Sequence, residues 1–235
     1  MDYPFNFSKP QVFELKYYVY DCTVAPPPLQ LSPAEVHIWE ANLATAAAHI
    51  LNLAGVLSPE EVERCAQYCF QQGRDRCVSS RGILRLLLSS YLQQHPQSFN
   101  FVYGVHGKPA LKQEELHFNL THSGDRALYA FTLTHPVGID LEQICANRDY
   151  DKIARRFFTP REQAWLFSHP PQQQPQHFFQ LWTYKEAWVK ARGESIFSAL
   201  EQLEVLQHPH SSEPLPGLYA LTAPIGYTAA LAIMV

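Results

Sequence analysis

Two acids stand two residues apart in Val137-Gly138-Ile139-Asp140-Leu141-Glu142, a stretch aliphatic enough to form a strand. A strand sends Asp140 and Glu142 to the same face, where two carboxylates repel unless a cation lies between them. Magnesium suits such a pair, because it takes oxygen ligands and is commonly held by one or two carboxylates together with phosphate oxygens. Periodicity alone also fits the solvent face of an amphipathic strand. A second set lies in Trp182-Thr183-Tyr184-Lys185-Glu186-Ala187-Trp188-Val189-Lys190, where Glu186 and Lys190 are one helical turn apart. On an exposed helix they would form an ordinary ion pair. Here large aromatics flank the helix, so the charges of Lys185, Glu186 and Lys190 need partners, and a metal and an anionic phosphate would supply them. Thr121-His122-Ser123-Gly124 offers a hydroxyl, an imidazole and a turn glycine, a combination suited to an anion, while Lys108-Pro109 sits in a turn-rich loop. Taken singly, His122 also fits a structural role.

These residues need a frame. Phe13 to Tyr20 reads as a strand broken by Pro26-Pro27-Pro28. Ser32-Pro33-Ala34-Glu35 and Ser58-Pro59-Glu60-Glu61 each carry a capping serine, a proline and a first-turn glutamate, which predicts a helix after each. The second is expected over Pro59 to Gln71, and a third over Ser80 to Gln93. A short strand at Asn100 to Tyr103 precedes a loop with Gly104, Gly107 and Pro109, and Phe118 to Thr121 is a brief apolar stretch. Leu128 to Thr134 and Val137 to Ile144, joined by His135-Pro136, predict a hairpin. Thr159-Pro160-Arg161-Glu162 repeats the capping pattern and predicts a helix to Phe167; His169 to Gln176 is expected as a surface loop. Phe178 to Arg192, stopped by Gly193, is the clearest helix, and closing strands are expected near Leu203, near Tyr219 and over Tyr227 to Val235.

The 235 residues, 46% hydrophobic and 17% charged, describe an ordinary globular chain of one large or two small domains. A net charge of −4 supplies no general positive field for nucleic acid. Cys22, Cys65, Cys69, Cys77 and Cys145 contain no CxxC pair, and neither a secretory leader nor a long apolar span is evident. The expectation is a cytoplasmic protein with reduced thiols, no membrane association and no zinc site.

The ordered segments Gly107-Lys108-Pro109, His117 to Gly124, Gly138 to Glu142 and Trp182 to Lys190, with Arg155-Arg156-Phe157-Phe158-Thr159 between the last two, resemble the Sfp-type 4′-phosphopantetheinyl transferases. That resemblance implies an α+β fold built as a pseudo-dimer of two similar halves, about 1–114 and 115–235, with coenzyme A in the cleft between them. It implies that Asp140, Glu142 and Glu186 surround magnesium and that Lys190 lies beside the transferred phosphate. Lys108, Pro109, Thr121 and His122 match positions at the nucleotide end, and Arg64 and Arg81 fall where basic residues approach the 3′-phosphate. Lys185 is counted with the coenzyme A contacts; Glu61 stands where some members carry a lysine. The implied reaction moves the phosphopantetheine arm to a serine of an apo acyl or peptidyl carrier protein and releases 3′,5′-adenosine diphosphate. Glu186 and Lys190 are the catalytic candidates, with Glu186 or a water on the metal as base. A monomer is expected. The rivals are a metal-dependent nuclease, which the acidic balance disfavours, and a carrier-binding relative without activity, which the intact Asp140, Glu142, Glu186 and Lys190 disfavour.

Overall fold

The computed structural model describes residues 13–112, 116–145, 149–194, 200, 203–206 and 214–234. Helices and mixed sheets make it an α+β protein. A first sheet runs in the order β1 (Glu14–Val19), β2 (Glu35–Asn42), β6 (Arg126–Thr132), β5 (His117–Ser123), with β1 parallel to β2 and the other neighbours antiparallel. Its strands alternate as buried two-faced strands should. Trp39 and Ala41 of β2 and Ala127, Tyr129 and Phe131 of β6 pack with Ile83, Leu84, Leu87 and Leu88 of α4 (Gln71–Leu92). The intervening Val36, Ile38, Leu128 and Ala130 face the opposite way and join a second core.

That second core is completed by a three-stranded antiparallel sheet in the order β7 (Val137–Gln143), β9 (Tyr227–Ile233), β8 (Leu218–Leu221), which contributes Val137, Ile139, Leu141, Leu231 and Ile233. With odd-numbered residues of β7 committed to the core between the sheets, Gly138, Asp140 and Glu142 must point the other way, towards α7 (Gln174–Arg192). Gly138 lets that helix lie against the strand: a Cβ there would come within 2.1 Å of the Ala187 carbonyl and 2.3 Å of the Ala191 nitrogen. On the far side α7 packs into a third core with Phe157 and Phe158 at the end of α5 (Tyr150–Phe157) and Trp165 and Leu166 of α6 (Pro160–Phe167). Gly193, at φ 67°, closes α7 in the left-handed conformation the sequence predicts.

Several expectations change. After Ser32-Pro33-Ala34-Glu35 the chain forms β2 rather than a helix. Glu35 does accept the Ser32 N–H at 3.0 Å, but the alternating residues that follow gain more by pairing with β1 and β6. Ser58 and Thr159, by contrast, make full capping boxes with Glu61 and Glu162. The first of these opens α3 (Pro59–Ala66), which ends before Gln71, where α4 already begins. The predicted hairpin is not one. β6 and β7 belong to different sheets, and the hairpin lies between β5 and β6, turning at Gly124 with φ 55°. After β5 and β6, which are strands of the first sheet, the chain changes sheets at residues 133–136. The loop expected to Gln176 gives way to α7 at Gln174, α5 had no predicted counterpart, and Leu206 makes only an isolated bridge to Pro214. Val235, the expected end of the last strand, lies outside the described residues.

The thiols need a correction too. Cys65 and Cys77 are joined in a disulfide with 5.4 Å between their Cα atoms, tying the end of α3 to the first turns of α4. Their separation of 12 residues carries no local motif; only the turn between the helices makes them neighbours. Cys22, Cys69 and Cys145 are free.

Candidate active site

The cleft forms where β5, β7, α4 and α7 meet. Asp140 is buried, and its Oδ1 accepts hydrogen bonds from Lys190 Nζ at 2.6 Å and from Thr121 Oγ1 at 3.2 Å. Its Oδ2 is buried without a hydrogen-bond partner among the described residues. Such an oxygen is costly in an apolar setting unless a cation or donor arrives to use it. Glu142 Oε2 accepts from Ser123 Oγ at 3.1 Å. Glu186, buried on α7, has its pKa pushed up to about 7, first by burial and then by the charge of Asp140, with Glu142 adding and Lys190 opposing. Burial works against the charge of Lys190, but Asp140 and Glu186 together outweigh it and raise its pKa. Three carboxylates thus surround one half-buried ammonium, an excess of negative charge that favours a further cation. Among the described residues no group of three or more His, Cys, Asp or Glu side chains is already placed to hold a metal ion by itself. Magnesium does not require one, since it fills its octahedron with water and phosphate oxygens.

Beside the carboxylates lies a cleft of about 290 Å³ that brings together Arg64, Arg81, Pro109, Thr121, His122 and Lys190 from five separate segments. Arg81 is braced by Glu61 at 3.1 Å and by the Tyr103 hydroxyl at 3.2 Å, and the Arg64 guanidinium lies 4.4 Å above the Tyr103 ring. Glu61 also holds the buried Arg85 at 2.6 Å, so the acid found where a lysine might stand organises two arginines. His122 opens onto the cleft; the walls around it, then the charges of Lys190, Arg76 and Arg81, pull its pKa down. The surroundings of that imidazole are therefore electropositive, as a polyanion needs.

Two predicted residues sit differently. Lys108 points between the start of β7 and the end of α7, where its Nζ donates to the carbonyls of Val137 at 2.9 Å and Ala191 at 3.0 Å, and burial lowers its pKa to about 8. Lys185 is not in the cleft. Its fully buried ammonium donates to Glu162 Oε2 at 2.8 Å and to the carbonyls of Leu200 and Leu203, which uses all its hydrogens on the other side of α7. Five residues along a helix turn a side chain well away from Lys190, so sequence proximity misled here. Asn119 and Ser123 were not singled out, although with Thr121 they recur at every second position of a strand and therefore share a face.

With this geometry, comparison with known proteins assigns the class. Residues 41–134 match the family described as 4′-phosphopantetheinyl transferase, N-terminal, and residues 136–227 match the 4′-phosphopantetheinyl transferase superfamily; the chain belongs to that superfamily. It is a 4′-phosphopantetheinyl transferase, transferring phosphopantetheine from coenzyme A to carrier proteins. It is 40% identical over 188 residues to the 4′-phosphopantetheinyl transferase HetI of Nostoc sp., covering 78% of this chain and 79% of the relative. It is 29% identical to the transferase Sfp of Bacillus subtilis, over 65% of this chain and 67% of the relative. With the transferase gsp of Aneurinibacillus migulanus it shares 33%, over 63% and 62%. Among the described residues no helix is long and apolar enough to cross a membrane.

Proposed function

We propose that transfer takes place in this cleft, with Asp140, Glu142 and Glu186 holding a divalent cation, magnesium by preference, and Lys190 beside the pyrophosphate of coenzyme A. The observation that carries the reading is the unpartnered Asp140 Oδ2, buried in a set of three carboxylates with one ammonium. When bound, the cation would neutralise phosphate charge and stabilise the departing nucleotide. The chain's own groups do the rest. Arg64 and Arg81 gather positive charge at the nucleotide end, where His122 offers a neutral imidazole as a hydrogen-bond donor, and Pro109 and Thr121 shape its wall. Lys190, tied to Asp140 and Thr121, presents its charge towards the reacting phosphates. Glu186, buried in the cleft beside Asp140 and Lys190, is the candidate to accept the proton that the carrier serine loses as its oxygen attacks the phosphorus bearing the pantetheine arm.

The two halves form a pseudo-dimer in this reading, dividing at residues 133–136 rather than near 114. The change of sheet there and the separate family matches to 41–134 and 136–227 support that boundary.

The test is a mass measurement on an apo carrier protein incubated with coenzyme A and magnesium. The carrier should gain the phosphopantetheine arm, the gain should vanish with excess chelator, and Asp140→Ala should abolish it while circular dichroism stays unchanged. Full transfer by Asp140→Ala, or in chelator, would sink the assignment of the cation site.

A further inference from the structure

β5 and β7 are both edge strands, β5 at the end of the first sheet and β7 at the end of the second. Each has its backbone ladder on the far side only, with β6 and β9 respectively. An edge leaves N–H groups in need of acceptors, and here side chains of β5 supply them. Asn119 Oδ1 accepts the Ile139 N–H at 2.8 Å, and Ser123 Oγ accepts the Gln143 N–H at 3.1 Å. Between them Thr121 donates to Asp140. Alternate residues of one strand therefore stitch the seam in place of a ladder.

The last stitch does two things. A serine hydroxyl has one hydrogen and two lone pairs; with the Gln143 N–H occupying a lone pair, the hydrogen is directed to Glu142 Oε2 at 3.1 Å. We infer that Ser123 is a positioning residue for cation binding: pinned by the Gln143 amide, its hydroxyl holds the Glu142 carboxylate in the cleft, as Thr121 holds Asp140. Without it Glu142, next to two other acids, loses one donor that offsets their repulsion, and its carboxylate is held less firmly in the cleft. The inference deepens the cation-site reading above and rests on it.

Manganese binding, read from the electron paramagnetic resonance of the free ion with the full chain and coenzyme A present, separates the possibilities. Ser123→Ala should weaken Mn²⁺ binding by about tenfold, the scale of one hydrogen bond to a charged group at a half-buried site. Coenzyme A affinity and melting temperature should stay those of the parent, and excess magnesium should restore turnover. Ser123→Thr, which keeps the hydroxyl, should bind the ion like the parent. Glu142→Gln is measured alongside. If Glu142→Gln weakens Mn²⁺ binding and Ser123→Ala does not, the role of Ser123 is refuted and the cation site stands. If Glu142→Gln binds as the parent does, the cation site itself is wrong as assigned and the inference falls with it. If Ser123→Ala loses coenzyme A affinity and melting temperature together with the ion, Ser123 is only a structural stitch and the positioning role is rejected.

Discussion

Lys185 and Lys190 lie on the same helix and each meets a carboxylate, yet one pair is closed and the other is open. Lys185 and Glu162 are both fully buried at 2.8 Å, and each is answered on all sides: Thr159 and Val205 N–H groups donate to the carboxylate and two carbonyls accept from the ammonium. Burial draws both groups towards their neutral forms, but three acceptors around Nζ suit an ammonium, so the ion pair is the state that the hydrogen bonds fit. Lys190 and Asp140 meet at 2.6 Å with the lysine partly open to solvent, Asp140 Oδ2 has no hydrogen-bond partner among the described residues, and Glu186 is forced towards its protonated form. The closed pair fastens Leu200, Leu203 and Val205 to α6 and α7. The open one keeps coordination capacity for something the fold does not contain. What separates structure from function here is how completely the charges are answered, more than the charges themselves.

That contrast can be broken deliberately. The largest effect is expected at the closed pair: Glu162→Gln leaves an ammonium buried without its counter-charge and should cost about 3 to 5 kcal/mol of stability in urea titration. Turnover of the molecules that remain folded should stay close to that of the parent. Replacing both partners, Lys185→Met with Glu162→Leu, should recover most of the loss. If Glu162→Gln instead left stability intact and removed activity, the distinction would be wrong.

Next in size is the open pair. Glu186→Gln and Lys190→Ala should each lower kcat by about a hundredfold, since their charges matter most as the phosphate bond breaks, while coenzyme A affinity moves far less. Saturation kinetics beside direct coenzyme A titration would show it. Variants that only weaken binding would mean that these charges serve coenzyme A binding and not the chemical step.

The smallest effect is on pH dependence. The folded state raises the Glu186 pKa from 4.5 to about 7, so it favours the proton-bound form. Stability from that proton is complete below pH 4.5 and is lost as the pH rises through 7. The metal-free protein should therefore weaken between about pH 5 and pH 8 in urea titrations, and Glu186→Gln should flatten that change. Added magnesium should stabilise the parent more at pH 8 than at pH 5.5, where the proton already occupies the site. Lys190, raised above its usual 10.5, stays charged across this window and does not blur the reading.

Local chemistry made several parts of this protein legible from sequence alone. The capping boxes at Ser58 and Thr159, the glycine stop at Gly193, the common face of Asp140 and Glu142, and the ordered motifs that point to the transferase family all depend on neighbours within a few residues. Sequence failed where two local readings competed or where partners lay far apart. Ser32 to Glu35 has capping chemistry, yet strand pairing on both sides of β2 overruled it. Val137 to Gln143 looks like the return arm of a hairpin, but the core between the sheets takes its odd residues and places it on a different sheet from β6. Lys185 and Lys190 cannot be told apart in a linear motif, because their roles depend on Glu162 at one side of α7 and Asp140 at the other. The Cys65–Cys77 bridge and the stitches from Asn119 and Ser123 likewise join groups that only the packed chain brings within bonding distance. The sequence determined which residues carry charge and which face of an element they leave from; only the tertiary structure decided which of those charges would be satisfied, because satisfaction is a property of partners in space.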